Sequence, residues 1–300
     1  MNQSAFKEIC SIAIRLTVTC LIAGVIMGTT FLLTHDAKEH NEQLRDERVM
    51  YELLGYGKGN PAPQTMSMHT MYRYVLAQGE SQSVAYVLPT VDGKYVMVEL
   101  DLEGRFVKQY PLEGDAAKMR KETDRTGAVA AAVGAGVEPR YADTMAIVAD
   151  NGKRSAYILD GKYPGFKTHI RVKIALKHDY SMLGFEVLEH EEDPGLGAEI
   201  VQPWFRGQFE NRSFDDLKTL EVVKKPMPDD YMNALAGKLP PEEAQSVRTA
   251  HAEDPIYALT GATISSRAVL NGNKAIVRKF AYRMDLLDKA LKSQNIQTGF

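Results

Sequence analysis

The chain has 300 residues, of which 44% are hydrophobic and 25% charged, and its formal charge is −3. These values are ordinary for a globular protein and exclude a wholly disordered chain, a collagen-like repeat and a polytopic membrane protein. The near balance of 36 basic and 39 acidic residues gives no reason to expect a nucleic-acid partner. Cys10 and Cys20 are the only cysteines, so the rest of the chain forms no disulfide, thiolate-ligated cluster or c-type haem attachment.

The N-terminal segment predicts one membrane span. Leu16 to Leu33 contains eighteen residues without a charge, which is near the length that crosses a hydrocarbon core. Apolar residues from Ile9 onward extend this run, so the predicted membrane segment is 9–33. An uncleaved anchor is favoured over a signal peptide, because no A-x-A site follows and the apolar run is long for a signal core.

The charges that flank this segment predict its orientation. Lys7 and Arg15 precede the uncharged run Leu16 to Leu33, whereas the segment after this run carries five acids and three bases. The positive-inside rule therefore places the N-terminus in the cytoplasm. The remaining residues are expected on the periplasmic side of the inner membrane, as one soluble part of about 250 residues.

Past the anchor, the pattern predicts a helix, a linker and a first group of strands. Residues 35–54 carry spaced apolar residues, and 55–63 are rich in glycine and proline. Turn residues at Asp92-Gly93 and Glu103-Gly104 divide an antiparallel meander over 84–112. A charged helix is expected at 115–125, followed by a small-residue segment at 126–137.

A second group of strands and a long helix follow. The predicted strands are 144–148, 155–159, 169–176, 183–190 and 217–223. The predicted helices are 229–237, 241–252 and 265–292, the last with apolar residues at helical spacing. An irregular run, EEDPGLGAEI, lies at 191–200, directly after the predicted strand 183–190.

The element pattern predicts an α+β fold with three parts. These are a cytoplasmic N-terminus and transmembrane anchor at 1–34, a linker and β-rich part at 35–140, and a ligand-binding domain at 141–300. The polar, proline-bearing stretch 224–254 is interpreted as an insertion that contacts partners.

The sequence TGATISS opens the predicted last helix. Gly261 and Ala262 leave room for a ligand near the backbone, and hydroxyls surround them at Thr260, Thr263, Ser265 and Ser266. A helix start adds free N–H groups and the positive end of the dipole. This combination favours a phosphate site, although ordinary N-capping explains the same hydroxyls.

TGATISS resembles the [S/T]-G-A-T flavinylation motif of the G subunit of the Rnf electron-transport complex and of the C subunit of the sodium-pumping NADH:quinone oxidoreductase. The resemblance implies FMN joined by a phosphoester to Thr263. It also implies a separate magnesium-dependent flavin transferase that uses FAD and recognises Thr260, Gly261 and Ala262.

A second resemblance lies upstream. Glu192-Asp193-Pro194-Gly195-Leu196-Gly197 is similar to the E-T-P-G-L-G loop that borders the flavin in this family, which implies cofactor contacts from Pro194, Gly195, Leu196 and Gly197. Tyr163-Pro164-Gly165 resembles the G-Y-x-G turn before it. The order of these pieces behind one span is also the family order.

Two positions depart from the family pattern. Tyr257 stands where an Asp is frequent, with Asp254 three residues further back. Asp193 replaces the usual Thr of the upstream loop. These departures concern recognition by the transferase and the surroundings of the flavin.

The resemblance implies a redox subunit of an ion-translocating ferredoxin:NAD⁺ oxidoreductase that relays electrons through FMN. Its partners would be the other membrane and iron–sulfur subunits of the complex, and it would have no catalytic acid, base or nucleophile acting on substrate. Two alternatives remain open at this point. They are the C subunit of the quinone reductase and a non-enzymatic envelope assembly protein with an empty helix start at Thr263.

Two other features have simpler interpretations. Met66 to Met71 offers soft ligands for Cu(I), but methionine also fills gaps in cores, and no metal site is expected anywhere in the chain. Trp204, the only tryptophan, is expected to pack in the core.

Overall fold

The computed structural model describes residues 3–300, apart from the side chains of 3–10, 36, 39–40 and 42–43. It falls into two compact units, one ending at Val49 and the other covering Met50–Phe300. The first unit consists of most of helix α1 (Gln3–Leu53). Within α1, Ser11–His35 is a candidate membrane span, with a mean hydropathy of 2.1 and no residue of its apolar window buried. The Cys10 side chain lies outside the described residues.

The second unit combines strands and helices in one α+β body. Its strands are β1 (Met66–Gln78), β2 (Ser81–Pro89), β3 (Tyr95–Leu100), β4 (Phe106–Leu112), β5 (Glu138–Asp150), β6 (Lys153–Pro164), β7 (His169–Lys177), β8 (Met182–Glu189), β9 (Val222–Val223) and β10 (Ile256–Tyr257). Its helices are α2 (Ala116–Arg120), α3 (Glu122–Val133), α4 (Pro203–Arg206), α5 (Phe214–Thr219), α6 (Asp229–Leu235), α7 (Pro241–Ala250) and α8 (Thr263–Ser293), with 3₁₀ turns at Gly197–Val201 and Gly207–Phe209.

Eight strands form one antiparallel sheet in the order β4-β3-β2-β1-β5-β6-β7-β8. Two four-stranded meanders therefore meet where β1 pairs with β5. β7 shows why these segments become strands, since Ile170, Val172, Ile174 and Leu176 alternate onto one buried face. The predicted division after residue 140 falls inside β5, which pairs with β1 on one side and β6 on the other.

Helices cover both faces of the sheet. On one face, α8 buries Val277, Phe280, Met284 and Leu287, which are spaced by three and four residues. Each such side chain contributes about 1.5–3 kcal/mol when it leaves water. On the other face, α3 packs Val129 against side chains from β1 to β4. The long amphipathic helix is thus confirmed, and it begins two residues earlier than predicted.

The predicted strand at 217–223 is wrong over its first residues. Ser213 and Asp216 form a capping box, in which the Ser213 hydroxyl accepts from the Asp216 N–H at 3.0 Å and the Asp216 carboxylate accepts from the Ser213 N–H at 3.2 Å. This box starts α5, so only Val222 and Val223 remain as strand. Strand β1 was not predicted, because residues on both of its faces are buried and the alternation is masked.

The segment before α8 is held by a small parallel pair. Ile256 donates to the Glu221 carbonyl and Ala258 to the Val223 carbonyl, both at 2.9 Å. On its other side, the buried Gln208 side chain accepts from the Tyr257 N–H at 2.7 Å and donates to the Tyr257 carbonyl at 3.3 Å. The backbone that leads into TGATISS is therefore fixed from two sides.

Candidate functional site

Helix α8 begins at Thr263, at the end of the TGAT turn. Ala262 is the N-cap residue, and among the described residues no side chain caps the helix and no acid lies in its first turn. The ordinary-capping interpretation of these hydroxyls is thus not realised. The first N–H groups and the positive dipole end are left for another acceptor.

The four hydroxyls of this segment divide into two pairs. Ser265 and Ser266 are buried: Ser265 donates to Glu192, while Ser266 accepts from the Leu259 N–H and donates to the Ala262 carbonyl, both at 3.0 Å. Thr260 is exposed and Thr263 is partly buried. Neither threonine hydroxyl has a hydrogen-bond partner in the described part of the chain. Thr263 is therefore the first hydroxyl of the helix, and it forms no hydrogen bond in the described part of the chain.

The two motifs singled out from the sequence are in contact. Gly261 adopts a φ of +76°, which an L side chain rarely takes. A Cβ placed there would lie 2.9 Å from Cδ2 of Leu196, in the upstream loop. Residues 65 positions apart in the sequence thus form one surface.

The upstream loop makes a tight turn after Asp193. The Asp193 carbonyl accepts from the N–H groups of Leu196 at 3.1 Å and Ala198 at 3.0 Å. Gly195 has a φ of +71°, so this position favours glycine. Lys167 Nζ lies 2.5 Å from Asp193 Oδ1, and the hydrogen bond to this carboxylate raises the pKa of Lys167. Asp193, which departs from the family pattern, therefore ties the loop to the turn that connects β6 and β7.

Glu192 joins three segments at this site. Its carboxylate accepts from the N–H groups of Phe166 at 2.8 Å and Lys167 at 3.3 Å, and from the Ser265 hydroxyl. The side chain is only 4% exposed. Sequence reasoning quoted Glu192 within the loop motif but gave it no role. The available indication was an acid directly before the D-P-G turn.

Each of the three segments that meet at Glu192 carries an exposed apolar side chain. Phe166 is 54% exposed, Leu196 45% and Ile264 59%. Water contact of three large apolar side chains around one junction is typical of a surface that contacts a ligand. Phe166 and Ile264 were not among the predicted site residues.

Tyr257 and Asp254 interact directly. The Tyr257 hydroxyl donates to Asp254 Oδ2 at 2.7 Å, and His251 Nδ1 lies 2.7 Å from the same oxygen. Burial acts to raise the pKa of Asp254, but the hydrogen bonds with His251 and Tyr257 outweigh it and lower the pKa. Burial, together with the bond to Asp254, raises the pKa of Tyr257 to about 12. Tyr257, which stands where the family has Asp, thus forms one hydrogen-bonded unit with Asp254 and His251 just before the TGAT turn.

The remaining candidates are structural. Trp204 is partly buried against two core clusters, with its ring at right angles to that of Phe205. Met66 to Met71 form the first half of β1, in which Met71 is fully buried. In the described part of the chain, no group of three or more His, Cys, Asp or Glu side chains is placed to hold a metal ion.

The donor set fits a phosphorylated, aromatic ligand. A free hydroxyl and unpaired N–H groups at the start of α8 suit a phosphoryl group. The apolar side chains of Phe166, Leu196 and Ile264 suit the face or edge of a planar ring. The close approach of Leu196 to Gly261 brings the two kinds of contact together.

A family model described as the FMN-binding domain matches residues 165–278. The match contains Glu192, the Pro194–Gly197 loop, the TGAT turn and the first half of α8. Over 127 residues the chain is 32% identical to the G subunit of the proton-translocating ferredoxin:NAD(+) oxidoreductase complex of Clostridium ljungdahlii, covering 42% of this chain and 54% of that protein. The chain thus spans about half the length of this relative.

Two further comparisons concern a different enzyme complex. Over 257 residues the chain is 24% identical to the C subunit of the Na(+)-translocating NADH-quinone reductase of Pseudomonas aeruginosa, covering 85% of each protein. The crystal structure of NqrC from Shewanella oneidensis aligns with 47% of this chain and 57% of its own, at 19% identity and a TM-score of 0.33.

Proposed function

From the FMN-binding domain that the chain carries at residues 165–278, we propose that this protein relays electrons through FMN bound covalently to Thr263. It does so as a membrane-anchored component of an ion-translocating ferredoxin:NAD⁺ oxidoreductase complex. The observation that carries the proposal is the hydroxyl of the partly buried Thr263, which has no partner in the described part of the chain and starts a helix with no acid in its first turn.

The attachment is a phosphoryl transfer from FAD. The Thr263 oxygen attacks the phosphorus on the riboflavin side of the FAD pyrophosphate, so a threonyl O–P bond forms and the P–O bond to the AMP portion breaks. AMP leaves, and the threonyl proton passes to a base of the flavin transferase. The first N–H groups of α8 would hold the phosphoryl oxygens, and Thr260, Gly261 and Ala262 would present the turn that the transferase recognises.

FMN supplies reversible electron transfer when it is bound. The residues of this chain hold and shield it. Leu196 is the apolar contact nearest the TGAT turn, and Pro194, Gly195 and Gly197 shape the loop that carries it. The proposal includes Ser265 and Ser266 as supports of the helix start, because both hydroxyls are already engaged within the protein.

The proposed location is the inner membrane, with the FMN-binding domain on the periplasmic side. The candidate span Ser11–His35 and the basic residues Lys7 and Arg15 near its N-terminal end support this orientation. Protease added to intact spheroplasts should digest the domain. Full protection, with a periplasmic control protein digested in the same sample, would place the domain in the cytoplasm and contradict the proposal.

The second candidate is the C subunit of a sodium-translocating NADH:quinone reductase. The alignment with the relative from that complex covers 85% of both chains, whereas the alignment with the relative from the ferredoxin:NAD⁺ oxidoreductase covers 54% of that protein. Partners that co-purify with the full-length chain in mild detergent distinguish the two. Iron–sulfur proteins that accept electrons from ferredoxin support the first candidate, and a quinone-reducing complex supports the second.

Covalent flavin is tested on the full-length chain produced together with a flavin transferase. Wild type should give a fluorescent band on a denaturing gel and gain the mass of an FMN moiety. Thr263→Ala should give neither, because no other atom at that position can form the phosphoester. Thr263→Ser should keep part of the flavin.

Thr260→Ala is the matched control, since its hydroxyl is also exposed and has no partner in the described part of the chain. It should keep the covalent bond, with slower attachment. Thr263→Ala removes no hydrogen bond in the described structure, so we expect its free energy of unfolding to stay within about 0.5 kcal/mol of wild type. Equal flavin in Thr263→Ala and wild type would place the attachment elsewhere, and a wild type that gains no flavin would contradict the proposed function.

A further inference from the structure

Glu192 is a buried acid whose two carboxylate oxygens serve different parts of the chain. Oε1 accepts from the N–H groups of Phe166 and Lys167, 26 and 25 residues away, and Oε2 accepts from the hydroxyl of Ser265, 73 residues away. No Lys or Arg side chain in the described part of the chain forms an ion pair with it. A carboxylate that is 4% exposed is costly unless hydrogen bonds satisfy it. These three bonds meet that requirement, and none of the three donors belongs to the loop that carries Glu192.

Two glycines enclose the Glu192 side chain. A Cβ at Gly197 would lie 2.9 Å from Glu192 Oε2 and 2.6 Å from Ser265 Oγ, and a Cβ at Gly165 would meet Glu192 Oε1. The backbone therefore approaches the carboxylate from the β6–β7 turn and from its own loop. A side chain packed this closely has one arrangement, and so do the segments bonded to it.

The three segments are the ones that carry the proposed flavin contacts. The turn bears Phe166, the loop bears Leu196, and the first turn of α8 bears Thr263 and Ile264. Ser265 is two residues from Thr263, so its bond to Glu192 fixes the rotation of the helix start. Removal of the carboxylate would free these segments to shift independently.

We propose that Glu192 is a positioning residue for flavin attachment: it locks the 165–167 turn, the 192–197 loop and the start of α8 into one arrangement that presents the Thr263 hydroxyl beside the wall of the flavin site. This inference rests on the proposed attachment at Thr263. Glu192 touches neither the hydroxyl nor the transferred phosphorus and acts through Ser265 and the two backbone N–H groups.

Glu192→Gln tests the inference at constant side-chain size. The amide keeps one oxygen for the two backbone N–H groups and turns the other into a donor, from which the Ser265 hydroxyl must accept. The charge is lost, so three hydrogen bonds to a carboxylate become weaker bonds between neutral groups. The rate of covalent attachment is measured with purified flavin transferase, FAD and Mg²⁺, and intact mass gives the flavinylated fraction over time. We expect this rate to fall by about tenfold or more, because small misplacements of reacting groups have large effects on rate. The attached flavin should also show a lower fluorescence anisotropy, since its wall is no longer fixed.

Three controls separate positioning from a general loss of stability. Glu191→Gln removes the adjacent exposed acid and should behave as wild type. Val277→Ala destabilises the middle of α8, away from the site, and should leave the attachment rate and anisotropy unchanged at a comparable loss of thermal stability. Ser265→Ala should slow attachment in the same direction, and the double variant with Glu192→Gln should be no slower than the slower single variant, because both remove one interaction.

Backbone hydrogen exchange of the flavin-free chain gives a readout that does not require the cofactor. Glu192→Gln should raise exchange at 166–167 and at 263–266 together, whereas Glu191→Gln should change neither. If Glu192→Gln has the same attachment rate, anisotropy and hydrogen exchange as wild type, Glu192 has no positioning role. That result would leave the proposed attachment at Thr263 intact. A wild-type chain that gains no flavin would overturn the proposed function and this inference with it.

Discussion

Helices α3 and α8 each follow a four-stranded meander and each cover a face of the same sheet, but they begin differently. Neither has a side chain bonded to its first N–H groups. The first turn of α3 contains Glu122 and Asp124, which compensate the positive end of the helix dipole from within the chain. The first turn of α8 contains hydroxyls and no acid of its own, and the carboxylate that reaches it, Glu192, bonds to the Ser265 hydroxyl and not to the first N–H groups. The comparison teaches that the start of α8 is suited to an anion supplied from outside.

Giving α8 the kind of start that α3 has should produce the largest effect. Thr263→Asp supplies an acid and removes the hydroxyl, so covalent flavin should be absent by intact mass. The flavin-free chain should become more stable by about 0.3–1 kcal/mol, measured by denaturant unfolding. Glu122→Gln is the matched control in α3: it should lower stability by a similar amount and leave flavin attachment unchanged. Flavin on Thr263→Asp would break the comparison.

The turn before α8 provides the next test. Lys121, before α3, has ordinary extended angles, whereas Gly261 has a φ of +76°. Gly261→Ala should lower the free energy of unfolding by about 1–2 kcal/mol and slow flavin attachment several-fold, because its Cβ displaces Leu196. Gly237→Ala, at a φ of +69° with open space around it, should lose similar stability with normal attachment. Equal attachment rates in the two variants would show that the Leu196 contact is irrelevant to the site.

Of the two helices compared, α8 has the 194–197 loop packed beside its start. Gly195→Val tests what that loop does. Valine strains a position with a φ of +71° and should distort the 194–197 loop. FMN should stay attached, while the flavin absorption spectrum shifts and electron transfer slows. Gly136→Val, at a φ of +90° between α3 and β5, should leave the spectrum unchanged. A normal spectrum and rate in Gly195→Val would mean that the loop does not border the flavin.

The smallest expected effect concerns Asp254, behind the TGAT turn. Its lowered pKa means that its contribution to stability is fully present above the ordinary carboxylate pKa of 3.8 and is lost as pH falls through the lower folded value. Asp254→Asn should therefore be less stable than wild type at pH 7, by at most about 1 kcal/mol, because the Asp254 side chain is 30% exposed and solvent screens its interactions. The difference should shrink below about pH 4 in thermal unfolding scans. If the stability difference between Asp254→Asn and wild type does not depend on pH, the charge of the Asp254 carboxylate is not its cause.

Local patterns in the sequence predicted much of the fold but not how its parts meet. Alternation and turn residues predicted strands in both meanders, and apolar spacing predicted α8. The Ser213–Asp216 capping box was overlooked, which led to the wrong strand at 217–223. The middle of β1 carries buried residues on both faces, such as Met71 and Tyr72, so it shows no alternation.

The site was predicted as motifs rather than as an arrangement. Residues such as Gly261 and Gly195 could be chosen from the sequence because the backbone conformations they adopt favour glycine. The junction at Glu192 could not, since it depends on Phe166 and Ser265 arriving from elements far apart in the chain. The division of the four hydroxyls into engaged and free pairs likewise exists only once α8 is packed on the sheet.

The parallel pair of β9 and β10 holds together the two ends of the segment 224–255, which contains α6 and α7. The N–H groups of Ile256 and Ala258 donate to the backbone carbonyls of Glu221 and Val223. The two ends of this segment therefore stay together whatever residues lie between them. The entropy cost of closing such a loop rises by only about 0.6 kcal/mol for each doubling of its length. Residues can therefore be gained or lost around Gly237 over evolutionary time without moving Tyr257 or the turn that follows it. A protein built this way can change what it contacts through α6 and α7 while the place where it holds its cofactor stays the same.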